Sequence, residues 1–153
     1  MGGFYVKLIV NNNKKHMAQF KEIYKCGVCG NVVEVLHAGA GKLVCCGQPM
    51  GLQVAKTSDE GIEKHLPVPA ELPANVCSGK DGVKIKIGAV EHPMTPEHYI
   101  EWIEINTIDG KSGKKFLKPA DLPESEFQTR MNIVGARAYC NVHGLWEIKI
   151  AAK

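Results

Sequence analysis

The chain has 153 residues, of which 44% are hydrophobic and 23% are charged, and its formal net charge is +3. This composition is ordinary for a globular protein, and the charge is too small to indicate a nucleic-acid partner, whose binding proteins carry a concentrated basic face. No apolar stretch reaches the roughly 18 residues of a membrane span, and the opening residues contain too short an apolar run for a secretory signal. We therefore expect a cytoplasmic protein with no membrane or nucleic-acid partner.

Six cysteines are present, and their spacing indicates metal binding more than disulfides. Cys26-x-x-Cys29 and the adjacent pair Cys45-Cys46 are clustered, and four thiolates can close a tetrahedral site for zinc or a single iron. In a reducing compartment clustered cysteines are more often ligands than bridges. A disulfide-stapled knot is the alternative on spacing alone. Cys77 fits no ligand segment, and we expect it to be a reduced, non-ligating thiol.

The sequence predicts three parts. Residues 1–21 include a polar run without periodicity and are expected to be a poorly ordered N-terminal extension, with His16 solvated. Residues 22–55 hold the clustered cysteines, in a unit too small to bury enough apolar surface, so a metal would supply much of its stability. A polar, turn-rich segment follows, and residues 56–153 are the predicted second domain.

The second domain is predicted to consist of short strands separated by turns. Val83–Ile87 alternates strictly between apolar residues and lysines, and further strands are expected at 99–105, from 116, from 129, at 136–140 and at 145–150. Pro67 and Pro69 favour a stiff, extended backbone around His65. Because no long amphipathic helix is evident, the pattern predicts a mainly β protein with an immunoglobulin-like antiparallel β-sandwich.

Candidate ligands of a second metal site are all expected in Pro- or Gly-bounded loops at strand ends, where a sandwich can gather them at one end of its sheets. They are His65, His92, His98, Cys140 and His143. Taken singly, each has an ordinary structural explanation, because a lone His is usually a surface or hydrogen-bonded residue and Cys is often a small buried hydrophobe. Their joint occurrence is what favours a shared site.

These motifs resemble a known family. Cys26-x-x-Cys29 followed by Cys45-Cys46 is similar to desulforedoxin, whose family binds one iron by four cysteines. Three further segments are similar to the signature segments of superoxide reductase, namely Glu63-Lys64-His65-x-Pro67, His92-Pro-Met-Thr-Pro-Glu-His98 and Cys140-Asn-x-His143-Gly-Leu-Trp. Together the segments span residues 22–150 and resemble desulfoferrodoxin, the two-iron form.

The resemblance implies a superoxide reductase, which reduces superoxide by one electron to hydrogen peroxide in oxidative-stress defence. It implies one iron on the four clustered cysteines and a second iron with four equatorial imidazoles, an axial Cys140 thiolate and an open sixth position in the ferrous state. Zinc is the alternative occupant of the four-cysteine site in a recombinant preparation. A rubredoxin-like electron donor and a homodimer are also implied.

Two charged residues beside His65 resemble functional residues of the family. Lys64 is similar to the lysine that attracts superoxide, and Glu63 to the carboxylate that occupies the sixth position in the resting ferric state. On composition alone, the two would be an exposed charge pair in a loop.

Two other functions stay open on the sequence. The chain could be a non-haem iron electron-transfer protein whose second iron has no substrate of its own, or a structural zinc-binding interaction module. Rapid oxidation of the ferrous protein by superoxide separates the enzyme from the carrier, and zinc sites are colourless.

Overall fold

The computed structural model describes residues 16–72 and 82–151. These residues form short strands and one helix. The strands are β1 (Ile23–Lys25), β2 (Val32–Glu34), β3 (Val44–Cys45), β4 (Gln48–Pro49), β5 (Gly51–Leu52), β6 (Pro67–Glu71), β7 (Gly82–Ile87), β8 (Ile100–Thr107), β9 (Ser112–Phe116), β10 (Glu124–Gln128), β11 (Ile133–Cys140) and β12 (Gly144–Lys149). The helix α1 (Ile62–His65) lies between β5 and β6. Cys77 and most of the predicted N-terminal extension lie outside the described residues.

The chain divides into two compact units between Leu52 and Gln53. In the first unit, β1 pairs with β2 and β5 in an antiparallel sheet, and β3 and β4 form a hairpin. A small core contains Ala18, Tyr24 and Val35. Because Ala18 belongs to this core, packing begins before residue 22, inside the segment predicted to be an extension. So small a core leaves much of the unit's stability to a metal.

The second unit consists of two antiparallel sheets with strand orders β10-β7-β6 and β12-β11-β8-β9. Residues from both sheets form one buried core, which includes Ile85 of β7, Ile103 of β8 and Cys140 at the end of β11. The prediction of an immunoglobulin-like antiparallel β-sandwich is confirmed. No helix in the described part of the chain is long and apolar enough to cross a membrane.

Two predicted strands of the sandwich are misplaced. β9 ends at Phe116 instead of beginning there, because the Asp109-Gly110 turn returns the chain immediately and pairs Ser112 with Asn106. Because most residues of β9 are polar or Gly, its sequence lacks the apolar alternation that predicts a strand. Residues 129–132, where the sequence predicts the start of a strand, form a turn in which the Met131 N–H donates to Thr129 Oγ1 at 3.0 Å. The strand β10 ends before this turn, at Gln128.

The backbone at His65 is also different from the prediction. His65 is the last residue of α1, and the extended conformation begins only at Leu66, with a ψ of 130°. The residue before a proline avoids the helical region, so Pro67 acts on Leu66 and leaves His65 free to end a helical turn.

Candidate metal centres

The first cluster contains the four cysteines of the N-terminal unit. Their sulfur atoms all lie within 4.8 Å of one another, with 3.5 Å between Cys29 and Cys45. Cys26 and Cys29 stand on a tight turn, in which the Gly30 N–H donates to the Cys26 carbonyl at 3.1 Å and Gly30 has a φ of 79°. The Val28 N–H faces the Cys26 sulfur at 3.4 Å, which is typical of a backbone amide supporting a thiolate.

The adjacent pair Cys45-Cys46 converges because of the β3–β4 turn. Consecutive side chains on a strand point to opposite faces. Cys46 has a φ of 50° and Gly47 a φ of 74°, so both central residues of this two-residue loop are left-handed, as in a type I′ turn. The loop leaves the sulfurs of Cys45 and Cys46 3.8 Å apart.

The electrostatics of this cluster favour a cation among the sulfurs. Backbone N–H groups of Cys29 and Val28 lower the pKa of Cys26 to about 6, whereas the neighbouring Cys29 and Cys45 thiols raise the pKa of Cys46 to about 12. Four thiolates at this spacing repel one another unless a metal ion neutralises them. The five cysteines within the described ranges are free of disulfides. His37 is exposed and is not part of the cluster.

The second cluster gathers the other five candidate ligands at one place in the sandwich. His65 ends α1, His92 and His98 lie in the loop between β7 and β8, Cys140 ends β11, and His143 lies in the turn before β12. One ligand atom from each lies within 4.8 Å of all the others. The prediction that all five stand in loops is wrong for His65 and Cys140, which end regular elements.

The four imidazoles form a square. Neighbouring rings around the square have centroids 4.6 to 4.7 Å apart and lie edge to face, with interplanar angles of 67° to 79°. His65 and His98 face each other across it, with centroids 6.2 Å apart. The Cys140 sulfur lies 3.6 Å from His143 Nδ1. Cys140 and His92 are buried, at 0% and 1% exposure.

The hydrogen bonds of the rings leave lone pairs for a metal. His65 Nδ1 donates to the Gly61 carbonyl at 2.7 Å, and His92 Nδ1 donates to the Pro93 carbonyl at 2.6 Å. In a neutral imidazole the opposite Nε2 then carries a lone pair. His92 Nε2 is buried and has no hydrogen-bond partner among the described residues.

The remaining imidazole nitrogens converge in the same way. His143 Nδ1 lies 2.9 Å from His65 Nε2 and 3.1 Å from His98 Nε2. A convergence of nitrogen lone pairs is destabilising without a cation and is what a metal ion requires, so the donor set fits a metal. Mixed imidazole and thiolate ligands suit iron, copper or zinc.

Burial favours the neutral form of three of the imidazoles. It lowers the pKa of His65, against the raising effect of the Gly61 carbonyl, and it lowers the pKa of His98. Burial also lowers the pKa of His92 to about 4. Metal binding requires the unprotonated ring, so the fold prepares these three side chains for coordination near neutral pH.

Glu63 and Lys64 lie beside the cluster and are exposed. Burial lowers the pKa of His65, and the Glu63 carboxylate slightly opposes that lowering; burial also lowers the pKa of His98, and the Lys64 ammonium adds slightly to it. Gly88, with a φ of 81°, lies directly against the Lys64 backbone, where an added Cβ would be 2.7 Å from the Lys64 carbonyl oxygen. This close approach fixes the backbone on which both charges stand.

Several residues around this cluster were not identified as functional from the sequence. The Gly61 and Pro93 carbonyls orient two rings, and Trp146 stacks on His65. Asn141 bonds to both neighbours of His98. Gly61 lies four residues before His65, and this helical spacing could have predicted the bond between its carbonyl and the His65 ring. No sequence pattern predicts the bond from the His92 ring to the Pro93 carbonyl.

Family models, related sequences and solved structures all match this chain to the same group of proteins. The family model described as desulfoferrodoxin matches residues 57–149, and the model of the desulfoferrodoxin N-terminal domain matches residues 18–53. The chain is 54% identical over 131 residues to a desulfoferrodoxin homolog of Archaeoglobus fulgidus, covering 86% of this chain and 98% of that protein. It is 56% identical over 126 residues to the desulfoferrodoxin of Nitratidesulfovibrio vulgaris, covering 82% and 94%. Among solved structures, the superoxide reductase of Treponema pallidum matches with a TM-score of 0.66 and 29% identity, covering 84% of this chain and 97% of that one.

Proposed function

The chain belongs to the desulfoferrodoxin family, and from this membership and its second metal cluster we infer that it is a superoxide reductase. The observation that carries this conclusion is the square of four imidazoles with the buried Cys140 sulfur beside it. The similarity to a solved superoxide reductase across most of both chains supports it.

Iron is the metal of both sites. Bound at the second site, iron would supply the one electron that the reaction needs. Superoxide takes up this electron and two protons to give hydrogen peroxide, and the oxygen–oxygen bond is kept. We propose that His65, His92, His98 and His143 would hold this iron through imidazole nitrogens and Cys140 through its thiolate.

Lys64 and Glu63 complete the proposed reaction site. Superoxide is a small anion, and an exposed ammonium at the mouth of a site raises its local concentration. The proximity of Lys64 to His98 supports this role. We propose that the Glu63 carboxylate would bind the oxidised iron at rest, and its place two residues before His65 supports that role.

Four cysteine sulfurs would complete the tetrahedral coordination of a metal ion, so the four-cysteine site would leave no coordination position for a substrate. We propose that it stores or relays electrons and that Cys26, Cys29, Cys45 and Cys46 are its ligands. Zinc can replace iron there in a recombinant preparation, because tetrahedral sulfur coordination suits both metals.

The wider setting of the enzyme is also a proposal. We propose a rubredoxin-like electron donor, a homodimer and a cytoplasmic location. The proposed domains are residues 22–55, with packing that already begins at Ala18, and residues 56–153. The match of separate family models to residues 18–53 and 57–149 supports this division.

Rapid mixing of the anaerobic ferrous protein with superoxide tests the function. The second site should be oxidised within the mixing experiment, with the thiolate-to-iron absorption of its ferric form appearing at the same rate. An electron-transfer protein would show slow oxidation independent of superoxide concentration, and a zinc protein would be colourless throughout. Cys140→Ser should abolish the thiolate absorption of this site while leaving that of the four-cysteine site.

A further inference from the structure

Asn141 lies between two of the proposed ligands in sequence and reaches across to a third. It directly follows Cys140 at the end of β11, in the turn that carries His143. Regular pairing of β11 with β8 ends at Cys140 and Ile100, after an irregularity between Tyr139 and Cys140. Asn141 therefore stands where the backbone ladder stops.

Beyond the end of the strand pairing, the Asn141 side chain forms hydrogen bonds with the backbone of the segment around His98. Asn141 Oδ1 accepts from the Tyr99 N–H at 3.0 Å, and Asn141 Nδ2 donates to the Glu97 carbonyl at 3.0 Å. The backbone N–H of Asn141 donates to the Tyr99 carbonyl at 3.2 Å. One residue thus bonds to the neighbours of His98 on both sides.

Apart from its bonds to Asn141, the backbone of the segment that carries His98 is held by bonds within the segment and by a bond from the Ala120 N–H to the Met94 carbonyl at 2.8 Å, which leads away from β11. The His98 N–H donates to the Thr95 side chain at 3.2 Å, and the Thr95 N–H donates to the His98 carbonyl at 3.0 Å. These bonds shape the turn but do not attach it to β11. The distance of 3.1 Å between His98 Nε2 and His143 Nδ1 consequently depends on how this turn is held against residues 140–143.

We propose that Asn141 is a positioning residue of the second metal site, which holds His98 against the turn carrying Cys140 and His143. It acts through these ligands and contacts neither the metal nor the substrate. The proposal rests on the metal site of the proposed function and is independent of the substrate's identity. Residues that orient metal ligands typically account for about 10–100-fold in metal affinity.

Release of iron to a chelator from the holoprotein tests the proposal, because the four-cysteine iron is a reference within the same molecule. Asn141→Ala removes the side-chain hydrogen bonds to Tyr99 and Glu97, and with them the weak contact of Asn141 Oδ1 with the Cys140 sulfur at 4.0 Å. Asn141→Asp keeps an acceptor for the Tyr99 N–H and loses the donor to the Glu97 carbonyl. Asn132→Ala, at an exposed position in the turn before β11, is the matched control. The two irons are followed by their separate absorption bands, together with the midpoint of thermal unfolding.

We expect Asn141→Ala to lose the second iron about 10–100-fold faster, with a shifted thiolate-to-iron band and an unchanged four-cysteine site. Asn141→Asp should lie between this variant and the wild type, and Asn132→Ala should match the wild type. Unchanged release and absorption in Asn141→Ala would overturn the proposal. So would an equal acceleration at both sites, which would indicate general destabilisation.

A variant that does not fold leaves the test intact. If Asn141→Ala yields no folded protein, Asn141→Asp decides alone, and release at the wild-type rate would overturn the proposal. A wild-type protein that takes up iron only at the four cysteines would contradict the proposed function as well. Normal iron uptake with no effect of either variant would contradict the role of Asn141 alone.

Discussion

The indole of Trp146 lies flat on the imidazole of His65, with ring centroids 4.7 Å apart and an interplanar angle of 15°. Trp146 is 1% exposed, and the ammonium of Lys56 lies 5.4 Å from the centroid of its ring. The stack fixes the plane of one proposed ligand and joins the metal site to the core of the sandwich.

Replacement of Trp146 should affect both stability and the metal site. We expect Trp146→Ala to lower the free energy of unfolding by about 3–5 kcal/mol, as is typical of a buried large-to-small change. Trp146→Phe should cost less and should still shift the thiolate-to-iron absorption, because the His65 ring loses its flat support. Trp102→Phe is the control, since Trp102 is also buried but stacks on Tyr139. An equal spectral shift in both variants would contradict a specific role of Trp146.

Lys64→Ala should slow the reaction with superoxide without loss of iron. We expect a decrease of roughly tenfold at low ionic strength, the lower end of electrostatic steering effects, and a smaller decrease at high salt because ions screen the charge. Stopped-flow rate constants over a range of salt concentrations measure this. Lys149→Ala is the control. Lys149 is exposed and ends β12, whereas Gly144, next to His143, begins it. A rate constant that is unchanged by Lys64→Ala at every salt concentration would remove Lys64 from the mechanism.

The metal-free protein should lose stability as the pH falls below about 6.5. Burial lowers the pKa of His92 from 6.5 to about 4 and also lowers that of His65. Between these pH values the unfolded chain binds protons that the folded chain does not, so protonation favours unfolding. Denaturant titrations of metal-free protein from pH 7 to 4 should show a falling free energy of unfolding. His92→Gln should flatten this dependence, and an equally steep slope in the variant would contradict the assignment.

A buried ion cluster in the four-stranded sheet should contribute strongly to stability. Glu104 is 1% exposed and accepts from Arg137 Nη2 at 2.7 Å, while Lys114 Nζ lies 3.0 Å from its second oxygen. Glu104→Ala would leave buried positive charge uncompensated, and we expect a loss of about 3–5 kcal/mol in unfolding free energy. The control is Glu126→Ala, whose partly exposed pair with Lys84 should be worth at most about 1 kcal/mol. Similar losses in the two variants would show that burial of the cluster is unimportant.

The sequence predicts the class of the fold well because strands with one buried face carry a clear alternation. Val83–Ile87 is such a case, and β7 occupies Gly82–Ile87. The pattern fails at β9, where Ser-Gly-Lys-Lys precedes Phe116, because an edge strand with little buried surface need not alternate. The turn at 129–132 contains the β-branched Thr129 and the apolar Met131, and the hydrogen bond from the Met131 N–H to the Thr129 hydroxyl, which the sequence pattern does not reveal, closes it.

The candidate ligands could be listed from the sequence, but their geometry could not. Cys140-x-x-His143 and the histidines of the loop before β8 are visible as motifs. That four rings form a square depends on backbone carbonyls and on Asn141, whose contacts are set by tertiary structure. The vicinal cysteines are a similar case, since only the left-handed conformation of Cys46 brings both sulfurs to one side.

The most direct test of the central claim is the yield of hydrogen peroxide per superoxide consumed, with an external reductant present and dioxygen recorded at the same time. Reduction predicts one peroxide for each superoxide, one electron drawn from the reductant and no dioxygen. One peroxide for every two superoxides, with dioxygen released and the reductant untouched, would mean dismutation and would contradict the assignment of this chain as a superoxide reductase.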